Sequence, residues 1–207
     1  MNFTPVKTPL AVKKMFPSYI WDITGSDNII YLTFDDGPTP EVTQWTLDIL
    51  NQYNAKATFF CIGNNVKKHP EIFQQIINEN HAVGNHTFNH KKGWKTKTSA
   101  YIDDVIKASQ YINSNLFRPP YGKIKPKQAK KLIQQDYHII MWDVISIDWS
   151  NSITKEKCYE NVIENTNSGS IVVFHDSKKA FKNMKYTLPK VLKHFSKLGY
   201  KFNSIKF

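Results

Sequence analysis

Arginine is nearly missing from this chain. Of 207 residues, 28 are Lys or Arg, and Arg118 is the single arginine. Proteins that read nucleic acids lean on the guanidinium fork for bases and phosphates. Its scarcity argues against nucleic acid as a partner. The formal net charge of +11 then reads as a solvated lysine surface, with attraction to an anionic polymer as the sharper alternative. The scarcity also sets Arg118 apart. Cysteine is scarce too. Cys61 and Cys158 are far apart in the chain and suggest neither a disulfide framework nor a thiolate metal site. Long hydrophobic runs are absent. IVVF at 171–174 is strand-sized, far short of the roughly 18 residues of a membrane-crossing helix, so no integral membrane segment is expected. The N-terminus lacks a signal-peptide pattern: Lys13-Lys14 interrupt the apolar PLAV, and no small-residue cleavage site follows. As it stands the sequence reads as cytoplasmic by default. A removed signal or another export route, with action at the cell wall, stays open.

What is there is a globular rhythm. Strand-like runs at 28–34, 57–62, 81–85, 116–118, 138–142, 171–174 and 201–205 alternate with helical patterns at 40–53, 69–80, 97–113, 126–135, 155–166 and 180–198. About seven alternations imply an α/β fold of parallel strands joined by right-handed crossovers, either a doubly wound sheet or a (β/α) barrel. The length suits a single domain. Residues 1–27 read as an N-terminal extension packed on a domain of residues 28–207.

In both architectures ligands bind at the carboxyl ends of the strands. The polar residues that follow the predicted strands should therefore converge on one rim. They are Asp35-Asp36, His86 and His90, Arg118 to Tyr121, Asp143 to Trp149, and His175-Asp176.

Each motif also has a plainer reading. HTFNH places His86 and His90 at i and i+4, one turn apart on a common face if locally helical, a spacing used for paired zinc imidazoles. Alone it is more often two surface histidines beside Lys91-Lys92. TFDDGP alone is a turn. Together they offer one Asp and two His, the three mixed ligands of a catalytic zinc site with a fourth position for water, and leave the second Asp for proton transfer. FRPPYG stiffens a loop and delivers Arg118 and Tyr121. His175 ends an apolar run and is a candidate general acid, because its charge changes near neutral pH. Either Asp143 or Asp148 could orient an imidazole, and Trp142 and Trp149 could wall a pocket. His69, His81, His138 and His194 receive no role.

Taken in order, TFDDGP, HTFNH, RPPYG, the Asp-Trp of WDVISIDW, and FHD after an apolar strand resemble the five motifs of the polysaccharide deacetylase family, also called the NodB-homology domain or carbohydrate esterase family four. The match covers roughly residues 28–205. The resemblance implies a distorted (β/α) barrel, often of seven strands, and a metal-dependent hydrolase that removes N-acetyl groups from a glycan. It makes Asp35 the general base and Asp36, His86 and His90 the metal ligands. Arg118 would tether the base, the Tyr121 amide would hold the oxyanion, and His175 would be the general acid tuned by Asp148. Tyr121, Trp149 and Val173 would line the acetyl pocket. The metal would be Zn2+, with Co2+ or Ni2+ as substitutes, and the partner an N-acetylated glycan met by a monomer. An acetyl-ester (xylan) substrate, or a non-catalytic carbohydrate-binding role, are the rival readings. Two positions depart from the family pattern. Ile145 stands where an acid is frequent, and Val173 where Leu is.

Overall fold

The computed structural model describes residues 5–25 and 27–207. In chain order the elements are α1 (Leu10–Met15), β1 (Ile29–Asp35), α2 (Val42–Gln52), β2 (Thr58–Cys61), α3 (Gly63–Lys68), α4 (Pro70–Asn78), β3 (Ala82–Asn85), α5 (Thr98–Ser109), β4 (Leu116–Phe117), α6 (Pro126–Ile133), β5 (His138–Ile139), β6 (Val144–Ile145), α7 (Lys155–Ile163), β7 (Ile171–His175), α8 (Phe181–Lys197) and β8 (Lys201–Phe202). The sheet runs β5-β4-β3-β2-β1-β7-β6, with β8 paired to β1. Every pairing is parallel. This is the expected distorted (β/α) barrel.

Continuous apolar runs form the central strands because both faces are covered. Leu32, Phe34, Phe59, Val172 and Phe174 have no exposed surface. Phe34 stacks on Phe59 and Phe174, with ring centroids 5.0 and 6.0 Å away. Leu47 and Leu50 of α2 and Leu188, Val191 and Leu192 of α8 close over that face. Each such side chain contributes roughly 1.5–3 kcal/mol on burial.

Among the described residues seven strands form the path, as expected, and β8 lies off it. The predicted strand 138–142 breaks off after Ile139, and β6 at Val144–Ile145 is a separate strand that the sequence did not announce. The carbonyls of Ile140 and Met141 accept hydrogen bonds from Arg118 Nε (3.2 Å) and Nη2 (2.9 Å), and the Met141 amide donates to Ile20 O at 2.7 Å. These groups are therefore taken out of a ladder. The last strand is also shorter than predicted, since β8 stops at Phe202 and the Ile205 amide donates instead to Thr58 Oγ1.

β5 and β6 end the strand path, and the N-terminal segment lies along the seam between them. Ile20 N donates to Ile139 O (2.9 Å), Thr8 N to Asp143 O (2.8 Å) and Ile145 N to Val6 O (2.9 Å). Lys13 Nζ reaches both Asp22 (2.5 Å) and Asp143 (2.6 Å), and Lys7 Nζ lies 3.3 Å from Asp143.

Candidate active site

β1 runs apolar up to Asp35, and Asp36 then takes a left-handed φ of 83°, which Asp tolerates better than most residues. The turn aims the two carboxylates at different partners, and this resolves their repulsion. It is held by Asp176, whose Oδ1 accepts the Gly37 amide (3.0 Å) and whose Oδ2 accepts the Thr43 hydroxyl (2.6 Å). Thr43 Oγ1 in turn accepts the Thr39 amide at 2.7 Å. A Cβ at position 37 would collide with the Asp176 carboxylate, so this position requires glycine. Sequence reading gave Asp176 no role, since an Asp after a His carries no sign of the turn it will clamp.

The HTFNH segment is a loop, not the helical turn its spacing allows. Thr87 and His90 both have left-handed φ, 62° and 55°. The loop wraps the buried Asp104, which accepts the amides of Phe88 (3.0 Å) and Asn89 (2.9 Å) and the Asn89 side chain (2.6 Å). The rings of His86 and His90 still meet, with centroids 5.1 Å apart. His86 Nδ1 contacts Arg118 O at 2.7 Å, which leaves Nε2 to face the cavity. Asp36 Oδ1 lies 3.7 Å from His86 Nε2 and 3.1 Å from His90 Nε2. One ligand atom from each of the three residues falls within 4.8 Å of the others. Burial drives His86 down to about 4, so the ring is neutral at pH 7, as a metal ligand must be. Burial works against the Asp36 carboxylate too, but the His90 hydrogen bond and the neighbouring imidazoles hold its pKa well below the usual range. The donor set and its protonation fit a divalent cation.

Arg118 is completely buried, against the Phe60 ring at 4.1 Å. Its Nη1 donates to Asp35 Oδ1 (2.7 Å) and to Thr33 Oγ1 (2.7 Å), while Nε and Nη2 take the two carbonyls of the broken strand. The contact with Asp35 is a single hydrogen bond, not the two parallel bonds expected of a carboxylate tether. The rest of the fork ties the guanidinium to Thr33 of β1 and to the two carbonyls that follow β5.

His175 sits beside β1 as the register partner of Asp35. Asp148 clamps it twice: Oδ1 lies 2.8 Å from Nδ1, and Oδ2 accepts the His175 amide at 2.8 Å. Burial alone would lower the His175 pKa. The Asp148 charge and hydrogen bond, with help from Asp36 and Asp35, overcome it and raise the value to about 9. Asp148 thus takes the orienting place that sequence left open between it and Asp143. Asp143 is structural, bonded to Lys13 and Ser170. The clamp follows Ile147, a β-branched residue at φ 61°, a conformation that costs on the order of 1–3 kcal/mol.

These side chains open into a cavity of about 570 Å³. Tyr121 (φ 61°, 57% exposed) stands over His90 at 4.7 Å, and Trp149 meets His175 edge-on at 4.8 Å. Both line the cavity, with Trp142 and Ile145. Val173 does not, contrary to expectation. It points to the same face of β7 as His175 but one layer deeper, paired in register with Thr33 and Ile145 and with no exposed surface.

The family model described as polysaccharide deacetylase matches residues 22–140. A peptidoglycan-N-acetylglucosamine deacetylase of Bacillus cereus is 33% identical over 192 residues, covering 89% of this chain and 90% of that protein. A peptidoglycan-N-acetylmuramic acid deacetylase of Bacillus subtilis is 30% identical over 189 residues, covering 86% and 70%. A crystal structure of a peptidoglycan N-acetylglucosamine deacetylase superposes with a TM-score of 0.87 at 31% identity, over 96% of this chain and 95% of that one. The barrel, the order of the motifs and these relatives agree, and the chain belongs to the polysaccharide deacetylase family.

Proposed function

We propose that this protein hydrolyses the N-acetyl amide of amino sugars in a glycan, with Asp36, His86 and His90 holding a divalent ion. Two nitrogens and one oxygen suit Zn2+, and also Co2+ or Ni2+. When bound, such an ion acts as a Lewis acid that acidifies water and polarises the acetyl carbonyl.

The chain's own groups do the rest. Asp35, positioned by Arg118, accepts the proton of the attacking water. The Tyr121 amide donates to the oxyanion, a preorganised contact that contributes several kcal/mol. His175 is protonated at neutral pH and gives its proton to the departing amine, while Asp148 keeps the ring oriented and cationic. The acetyl methyl faces Trp149 and Ile145. The observation that carries this reading is the pairing of Asp35 and His175 on adjacent strand ends, each held by its own buried partner beside the three-ligand cluster.

The test is acetate release by the zinc-loaded protein from N-acetylglucosamine oligomers and from acetylated xylan. Release from the oligomers is expected, with a loss of about 10²–10⁴-fold in Asp35→Asn, the usual worth of a general base. Release from xylan alone moves the reading to an ester. Full activity in Asp35→Asn removes Asp35 from the chemistry.

A further inference from the structure

The cavity is ringed by lysine. Lys92, Lys123 and Lys179 line it, and among the described residues its only carboxylates are Asp35 and Asp36. Asp35 is neutralised by Arg118, and Asp36 belongs to the ligand cluster. None of the three lysines forms an ion pair among the described residues. Their neighbour Lys91 differs: it is 3.2 Å from the buried Asp104. Two of the three are also aimed by aromatic rings. Lys92 Nζ stands 5.4 Å from the Tyr121 ring centroid, and Lys123 Nζ 4.7 Å from that of Trp94, itself 58% exposed. Lys92 and Lys123 are half-buried and Lys179 is exposed, and all three border the cavity.

We infer that this lysine rim selects anionic glycans: the sugars flanking the acetylated residue carry carboxylate or phosphate groups, and Lys92, Lys123 and Lys179 pair with them. The inference rests on the deacetylase reading and names its substrate class. A neutral acetamido sugar offers three unpaired cations hydroxyl acceptors but no opposite charge. A strand with fixed negative charge places anions beside them at the point where Asp35 and His175 act. Charge complementarity of this kind acts on encounter and register, and salt screens it. The rings hold Lys92 and Lys123 in place, which reduces the ordering cost when the anion arrives.

The experiment compares kcat/KM on three tetrasaccharides that share one acetamido sugar: a neutral strand, one with carboxylate-bearing lactyl ethers on alternate sugars, and one with phosphate esters there. At low salt an anionic strand is expected to be preferred by about tenfold, falling to about twofold or less in ~0.5 M NaCl as the charges are screened. In the triple variant Lys92→Gln, Lys123→Gln, Lys179→Gln the preference should collapse. In Lys193→Gln, Lys197→Gln, Lys201→Gln, which alters exposed lysines at the far end of α8 and on β8, it should persist. The strand that is preferred, carboxylated or phosphorylated, identifies the anion. Equal rates on all three strands, or a preference that survives loss of the rim, overturns the inference. If no strand is deacetylated, the deacetylase reading fails. Calorimetric binding of the same strands then still decides the rim: tighter binding of an anionic strand that is lost in the rim variant supports it, and equal binding refutes it.

Discussion

Arg118 shows how much one side chain can fix. It makes four hydrogen bonds, one each to Asp35, Thr33, Ile140 and Met141, a planar geometry that an ammonium cannot reproduce. Arg118→Lys is therefore expected to lose most activity while still binding the metal, since none of the three ligands touches the guanidinium. Near wild-type kcat/KM with equal metal content would remove the tether. Asp148 makes a second prediction through pH. A general acid works only while protonated, and Asp148 is the main partner that raises His175. Asp148→Asn should move the basic limb of the pH–kcat/KM profile to lower pH by about one unit or more, as expected when a close opposite charge is removed. An unmoved limb would assign it to another group. Residue types at strand ends marked these positions as a candidate site, because acids, histidines and a lone arginine have few uses there. The parts proposed for Arg118 and Asp148 came from the family resemblance, since the residues alone left Asp143 and Asp148 both open. Asp176 and Ile147 stayed hidden. Their parts depend on backbone angles and on a contact 139 residues away in the chain, and neither leaves a local pattern.

At the scale of elements, β1, β2 and β7 were the most legible, since buried parallel strands read as unbroken apolar runs. The short α1 and α3 were not foreseen. Six residues each, they are too brief for a helical period to declare itself. The strand at 138–142 was misread because its carbonyls serve Arg118, a use that hydrophobicity does not encode. The junction from α4 to β3 carries its own pH dependence. His81 is buried, and its Nδ1 accepts the Ala57 amide at 3.1 Å. Burial, then the charge of Lys56, lowers its pKa to about 4 from 6.5. As pH falls the unfolded chain takes up the proton first, so stability is full above about 6.5 and is lost as pH drops toward 4. The loss is at most about 3 kcal/mol for this shift. His81→Asn retains an acceptor but no titrating group, and should flatten that part of a urea-denaturation pH series. An unchanged slope would place the dependence elsewhere.

For the whole molecule, the barrel is completed by its N-terminal segment. The extension was legible as a segment outside the strand–helix rhythm. Its place was not, because a seam between β5 and β6 exists only once the strands have curled. Lys13 is the centre of that contact, with Asp22 and the nearly buried Asp143. Lys13→Met should cost about 2–3 kcal/mol in urea unfolding, near the range for breaking a buried pair because Lys7 leaves Asp143 part of its compensation. A change below about 0.5 kcal/mol, the size of ordinary surface effects, would make the contact incidental. Parallel pairing of β1, β2 and β3 is what brings Asp36, His86 and His90 together at the strand ends from two loops 50 residues apart. The most direct test is calorimetric titration of the chelated protein with Zn2+, on the wild type and on Asp36→Ala. The account expects one ion per chain in the wild type and loss of that binding in the variant. A wild type that takes up no ion, or an Asp36→Ala protein that binds one as tightly, contradicts it.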